Sequence, residues 1–118
     1  MPFTTNRSAL DSGVVVLALS GTMTMGTQLQ QFEWAVEELA KNKQNKVVLD
    51  MSLVTYLDSS AIGVLVASTV AVRDSGGQLR LAGVTDRVSM IFRMTGIDSV
   101  LKIDTTKDEA VSTLTLGA

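Results

Sequence analysis

Serine is the residue with which this chain can do chemistry, and the place is Asp58-Ser59-Ser60. The chain has no histidine and no cysteine. That removes Ser-His-Asp and Cys-His catalysis, imidazole and thiolate metal sites, and the commonest general base near neutral pH. A serine nucleophile would need a lysine as its base, and the nearest in sequence are Lys46 and Lys102. The G-x-S-x-G elbow that presents a nucleophile is absent. Asp50 and Asp58 flank the region but belong to no acidic cluster with ligand spacing. Gly76-Gly77 has neither the spacing nor the strand-to-helix context of a phosphate loop. The expectation is a protein that is not an enzyme and has no metal and no cofactor.

Two roles remain for the turn. Either Ser59 or Ser60 can cap a helix by accepting a hydrogen bond from an N–H two or three residues on. The other can then present its hydroxyl to a partner. A phosphate added there carries about −1.5 to −2 charge. It would sit at the positive end of the helix dipole, which tolerates it, and beside Asp58, where it opposes a negative or apolar partner. Such a group changes which partner the surface accepts without unfolding the domain.

The elements that position the turn follow from hydrophobic pattern. Lys46 to Met51 reads as a strand covered on both faces, Ser52 to Leu57 as a short loop, and Ala61 to Ser75 as a helix buried on most of its circumference. Upstream, Phe3 to Ala9 and Gly13 to Ser20 form a hairpin around Asp11-Ser12-Gly13, with Gly21 ending the second strand. A helix from Thr27 to Lys43 carries Leu29, Phe32, Val36, Leu39 and Ala40 on one stripe. Trp34 points away from that stripe. It is either a contact residue, in a homodimer or with another partner, or it packs under the N-terminal segment. Downstream come a strand at Gln78–Ala82, a helix at Asp86–Thr95 capped by Thr85 and closed by Gly96, a strand at Val100–Ile103, and a helix starting at Asp104 or Thr105. The order β-β-α-β-α-β-α-β-α implies an α/β fold, with a mixed, mostly parallel sheet and four helices.

With 118 residues the chain makes one domain, residues 1–118. Hydrophobic residues at 46% and charged residues at 19% suit a packed globule. A net charge of −2 without a Lys/Arg run disfavours nucleic acid as a partner. The N-terminal residues indicate no signal peptide, and no apolar run reaches membrane-spanning length. The expectation is a cytoplasmic protein without membrane insertion.

The stretches Val47-Val48-Leu49-Asp50-Met51-Ser52 and Tyr56-Leu57-Asp58-Ser59-Ser60-Ala61-Ile62-Gly63-Val64-Leu65 resemble the STAS domain (sulfate transporter and anti-sigma-factor antagonist). The runs Gly76 to Leu81 and Val88 to Ile97 resemble the rest of that family's pattern. The resemblance covers roughly residues 14–116 and implies a role in partner switching, of the anti-sigma-factor antagonist type. The partner would be an ATPase-like serine kinase acting as anti-sigma factor, which phosphorylates the serine after the aspartate, and a metal-dependent serine phosphatase restores it. Carried onto this chain, the phosphoacceptor is Ser59, and the partner reads Asp58, Ser60, Ala61, Thr55, Tyr56, Met23 and Thr24. Two positions depart from the pattern. The acidic pair common after the second strand is replaced by Gly21-Thr22-Met23-Thr24, and the glycine usual after the second serine is Ala61. The loss of carboxylates makes the site less negative and changes partner choice by electrostatics. It also favours an alternative: a STAS scaffold or binding subunit of a signalling or lipid-transport assembly, never phosphorylated. A third alternative that the resemblance implies, a nucleotide-binding module, has no phosphate loop to support it here.

Overall fold

The structure is a computed structural model and describes residues 1–116. Five strands form one sheet in the order β1-β2-β3-β4-β5, with β1 antiparallel to β2 and the remaining pairs parallel. The strands are β1 (Thr4–Ala9), β2 (Val15–Met23), β3 (Lys46–Leu57), β4 (Gln78–Ala82) and β5 (Ile103–Asp104). The helices are α1 (Thr27–Lys41), α2 (Ser59–Asp74), α3 (Asp86–Thr95) and α4 (Lys107–Thr115). This is the expected α/β order. The helix ends and the last strand differ in detail: a 3-10 turn at Ile97–Ser99 shortens β5, and Thr106 caps α4.

Alternation along the strands divides the interior in two. Val15, Leu17, Leu19, Val47, Leu49, Met51, Leu79 and Leu81 face α1, α2 and α3 in the main core. Val14, Val16, Val48 and Ala82 face Ala110 and Leu114 of α4. Three successive right-handed crossovers in one direction put α1, α2 and α3 on the same face, and α4 then closes the other. The α1 stripe is buried as the periodicity requires. Burial of one large side chain contributes about 1.5–3 kcal/mol, so Phe32 and Phe92, both fully buried, anchor their helices to the sheet.

Four expectations need correction. First, Ser52 to Leu57 is not a loop. β3 continues through Leu57 because the strand accommodates two bulges, at which it carries one more residue than β2: between Ala18↔Asp50 and Ser20↔Leu53, and between Gly21↔Val54 and Thr22↔Tyr56. The bulges break strict alternation, which is why this segment does not look like a strand in sequence. They keep Val54 and Leu57 in the core and leave Leu53 and Tyr56 exposed.

Second, Gly21 does not end β2. It sits inside the strand at φ +91°, where a side chain would collide with the Pro2 carbonyl oxygen. Third, α2 is less enclosed than its composition suggests. Its buried residues are Ala61, Leu65, Ser68, Thr69 and Val72, while Gly63 and Ala67 reach solvent. Fourth, Trp34 does not pack under the N-terminal segment. Phe3 takes that place, edge-on to Phe32 at 5.9 Å between ring centroids, and Trp34 stays 57% exposed.

Candidate functional site

β3 emerges from the C-terminal end of the sheet, and the chain turns into α2 within one residue, Asp58. The Asp58 N–H donates to the Met23 carbonyl at 3.2 Å, which continues the β2–β3 pairing into the turn. Asp58 has extended backbone geometry and is the N-cap of α2. Its Oδ1 accepts the Ala61 N–H at 2.9 Å, and its Oδ2 accepts the Met25 N–H at 3.0 Å. One carboxylate therefore ties the helix start to the β2–α1 connection. The Met25 N–H, then the Ala61 N–H, hold the Asp58 carboxyl below its usual range, because both bonds favour the charged form.

This corrects the capping assignment. Neither Ser59 nor Ser60 caps the helix. Ser59 is the first residue of α2 and is exposed, Ser60 is half-buried, and neither hydroxyl has a protein hydrogen-bond partner among the described residues. Asp at the cap leaves the serine hydroxyls unoccupied, which a serine cap would not.

The remaining predicted contact residues separate by burial. Thr55 and Tyr56 are exposed on the last part of β3, and Thr24 is half-buried. Met23 and Ala61 have fully buried side chains, so they support the site from beneath and offer no side-chain surface to a partner. Asp50 is not brought into use with Asp58, because its Oδ1 accepts both the N–H and the hydroxyl of Ser52, at 3.1 and 2.8 Å. Among the described residues no three acidic side chains gather as a metal site would require. Lys46 opens β3 at the end opposite the turn, so it is not placed as a base for Ser59. Among the described residues no helix is long and apolar enough to cross a membrane.

Two features of the site lie outside the sequence reading. A shallow cleft of about 450 Å³ opens beside the turn, between Met25, Gly26 and Thr27, the face of α1 carrying Gln30 and Glu33, and Val64 of α2. On the other side the Arg87 guanidinium of α3 lies 5.4 Å from the centre of the Tyr56 ring, a cation–π contact. Nothing in the sequence spacing of Tyr56 and Arg87 announces that pair.

The STAS domain model matches residues 8–110 of this chain, from β1 through the first half of α4. The chain belongs to the STAS domain family. A Thermotoga maritima protein described as an anti-sigma factor antagonist is 30% identical over 79 residues, which is 67% of this chain and 70% of the relative. An anti-sigma-B factor antagonist of Listeria monocytogenes is 31% identical over 61 residues, covering 52% of this chain and 54% of its own length. The crystal structure of the Thermotoga maritima protein superposes with a TM-score of 0.82 at 26% identity, over 92% of both chains. The Bacillus cell-fate determinant SpoIIAA in its phosphorylated form shares the fold, with a TM-score of 0.74 at 14% identity over 94% of this chain and 99% of that one. These curated relatives are named for antagonism of anti-sigma factors and not for an enzymatic activity, in line with the non-enzymatic expectation.

Proposed function

We propose that this STAS domain is an anti-sigma-factor antagonist of a partner-switching pathway in the cytoplasm. In that pathway the unmodified domain binds a serine-kinase anti-sigma factor and is switched off by phosphorylation at Ser59. The observation that carries the reading is the division of labour at the turn. Asp58 caps α2 with Oδ1 and holds the Met25 N–H with Oδ2, and Ser59 presents a solvent-exposed hydroxyl with no hydrogen bond to hold it back. In the reaction the Ser59 Oγ attacks the γ-phosphorus of ATP and the bond to ADP breaks. A base on the kinase takes the hydroxyl proton. The product adds about −1.5 to −2 charge directly after Asp58. There it repels a partner that has desolvated the turn. A serine phosphatase reverses the step by hydrolysis.

The test is intact-mass measurement after incubation with ATP and the serine kinase encoded nearest in its genome. One phosphate is expected, lost in Ser59→Ala and kept in Ser60→Ala. A phosphate that survives in Ser59→Ala places the acceptor elsewhere. No phosphate at all, with stable co-purification of a non-kinase partner, favours the second reading, a STAS scaffold or subunit of a signalling or lipid-transport assembly. Two observations support that alternative: Thr22-Met23-Thr24 carries no carboxylate, and Trp34 is 57% exposed on α1. In either reading we place a homodimer contact on the Trp34 face.

A further inference from the structure

The turn by itself is a small target. Met23 and Ala61 are buried, and both oxygens of Asp58 are engaged by backbone N–H groups. A stable protein complex buries about 800 Å² per partner, so a protein that reads Ser59 must extend its footprint well beyond the turn.

On the Tyr56 side of the turn the surface continues onto α3. Arg87, Met90 and Met94 recur at a spacing of three and four residues, so they form one ridge of the helix, opposite the buried Val88 and Phe92. Met90 is 54% exposed, Met94 80% and Tyr56 39%. Arg87 joins the two elements through its contact with Tyr56, three residues before Ser59. Among the described residues neither Arg87 nor Arg93 has a carboxylate within ion-pair distance, since the ion pairs there are Arg73–Asp74 and Arg80–Asp104. The ridge is therefore apolar and cationic on a chain whose net charge is −2.

We propose that the Arg87-Met90-Met94 ridge, continuous with Tyr56, is a second contact region for the same anti-sigma partner, and that it takes an amphipathic helix whose apolar seam is flanked by carboxylates. The proposal rests on the function proposed above. A helical ridge packs into the groove between side-chain rows of a facing helix. Methionine side chains adapt to an irregular partner and lose little when left exposed in the free protein. The unpaired arginines select for acidic residues beside the seam. An anionic bilayer fits less well, because two arginines beside Asp86 fall short of the basic cluster that surface lipid binding uses. The replacement of the family's acidic pair by Thr22-Met23-Thr24 points the same way, since it removes negative charge from the turn and leaves the arginines to set the electrostatic preference.

The test uses the full chain and the serine-kinase anti-sigma factor encoded beside it, with affinity measured by titration calorimetry. The variants are Met90→Asp/Met94→Asp, Arg87→Glu, Arg87→Lys and Ser59→Asp, each checked for fold by circular dichroism. The double methionine variant is expected to bind at least about 30-fold more weakly, as for the loss of a hot spot. Arg87→Glu is expected to bind about tenfold more weakly and to lose salt dependence, and Arg87→Lys to retain most of the affinity and the salt dependence. If the double variant and Arg87→Glu bind within about threefold of the unaltered protein while Ser59→Asp abolishes binding, the ridge is not part of the interface and only the Ser59 reading survives. If the unaltered protein binds no such factor, the proposed function fails and this inference with it. Sedimentation with phosphatidylglycerol vesicles that is lost in the methionine variant, with anti-sigma binding unchanged, assigns the ridge to membrane and overturns the proposal.

Discussion

Replacing Asp58 by Ala removes two hydrogen bonds from one exposed turn, and its cost can be built from those bonds. Loss of an N-cap side chain costs about 1 kcal/mol. The second bond, to the Met25 N–H, adds about 1 kcal/mol, at the low end for a charge-assisted bond because the turn is open to water. The sum is about 2 kcal/mol. Unfolding entropy near 60 °C is about 2.1 cal/mol/K per residue, so over 118 residues that loss lowers Tm by about 8 °C. Asp58→Asn keeps an oxygen for the Ala61 N–H but has no second carboxylate oxygen for Met25, and is expected to lose about half as much.

The same bonds give a pH signature. The folded carboxyl titrates below its unfolded value of about 3.9. Its contribution is complete above that value and is lost as pH falls through the depressed folded value. The gap between wild type and Asp58→Ala, measured by urea unfolding, is expected to shrink as pH falls below about 4. In amide hydrogen exchange the Met25 N–H should lose protection in both variants, and the Ala61 N–H in the alanine variant only. A gap below about 0.5 kcal/mol at pH 7, or one that does not shrink at all as pH falls below about 4, would refute the two-bond account of Asp58.

Two further substitutions probe elements around the site. Gly21→Ala forces an L side chain to φ +91° and against the Pro2 carbonyl, and it should cost about 2 kcal/mol and expose the Thr22 amide, which donates to Met1 O, to exchange. An unchanged urea midpoint together with a protected Thr22 amide would contradict that strain. Trp34→Ser, at a position 57% exposed, should change monomer stability by no more than about 0.5 kcal/mol while shifting sedimentation velocity from dimer to monomer. Identical sedimentation of the two proteins at matched concentration would remove the dimer contact from the Trp34 face.

Much of the fold is written in short-range pattern. Val47-Val48-Leu49 as a doubly covered strand, the α1 stripe from Leu29 to Ala40, the Thr85 cap and the left-handed Gly96 all depend on neighbours a few residues apart, and each lies in the structure where the pattern puts it. Element order then constrains the topology, because parallel strands joined by helices cross over with one hand. The Ser52–Leu57 segment was not legible, since its bulges are defined by the register against β2 and not by its own alternation.

The site divides along the same line. The absence of histidine and cysteine, and the Asp-Ser-Ser turn at a helix start, are properties of the sequence, and they direct attention to a presented hydroxyl. Which of the three residues caps the helix was decided only in three dimensions. The Met25 N–H comes within 3.0 Å of Asp58 because β2 and β3 end side by side, so one carboxylate reaches two donors that lie 36 positions apart in the chain (25 and 61) and frees Ser59. Met23 and Ala61, near the turn in sequence or pairing, proved to be buried, whereas Arg87, far along the chain, arrived over Tyr56. Hydrogen-bond reach and burial depend on where separate elements end in space, and no local spacing encodes that.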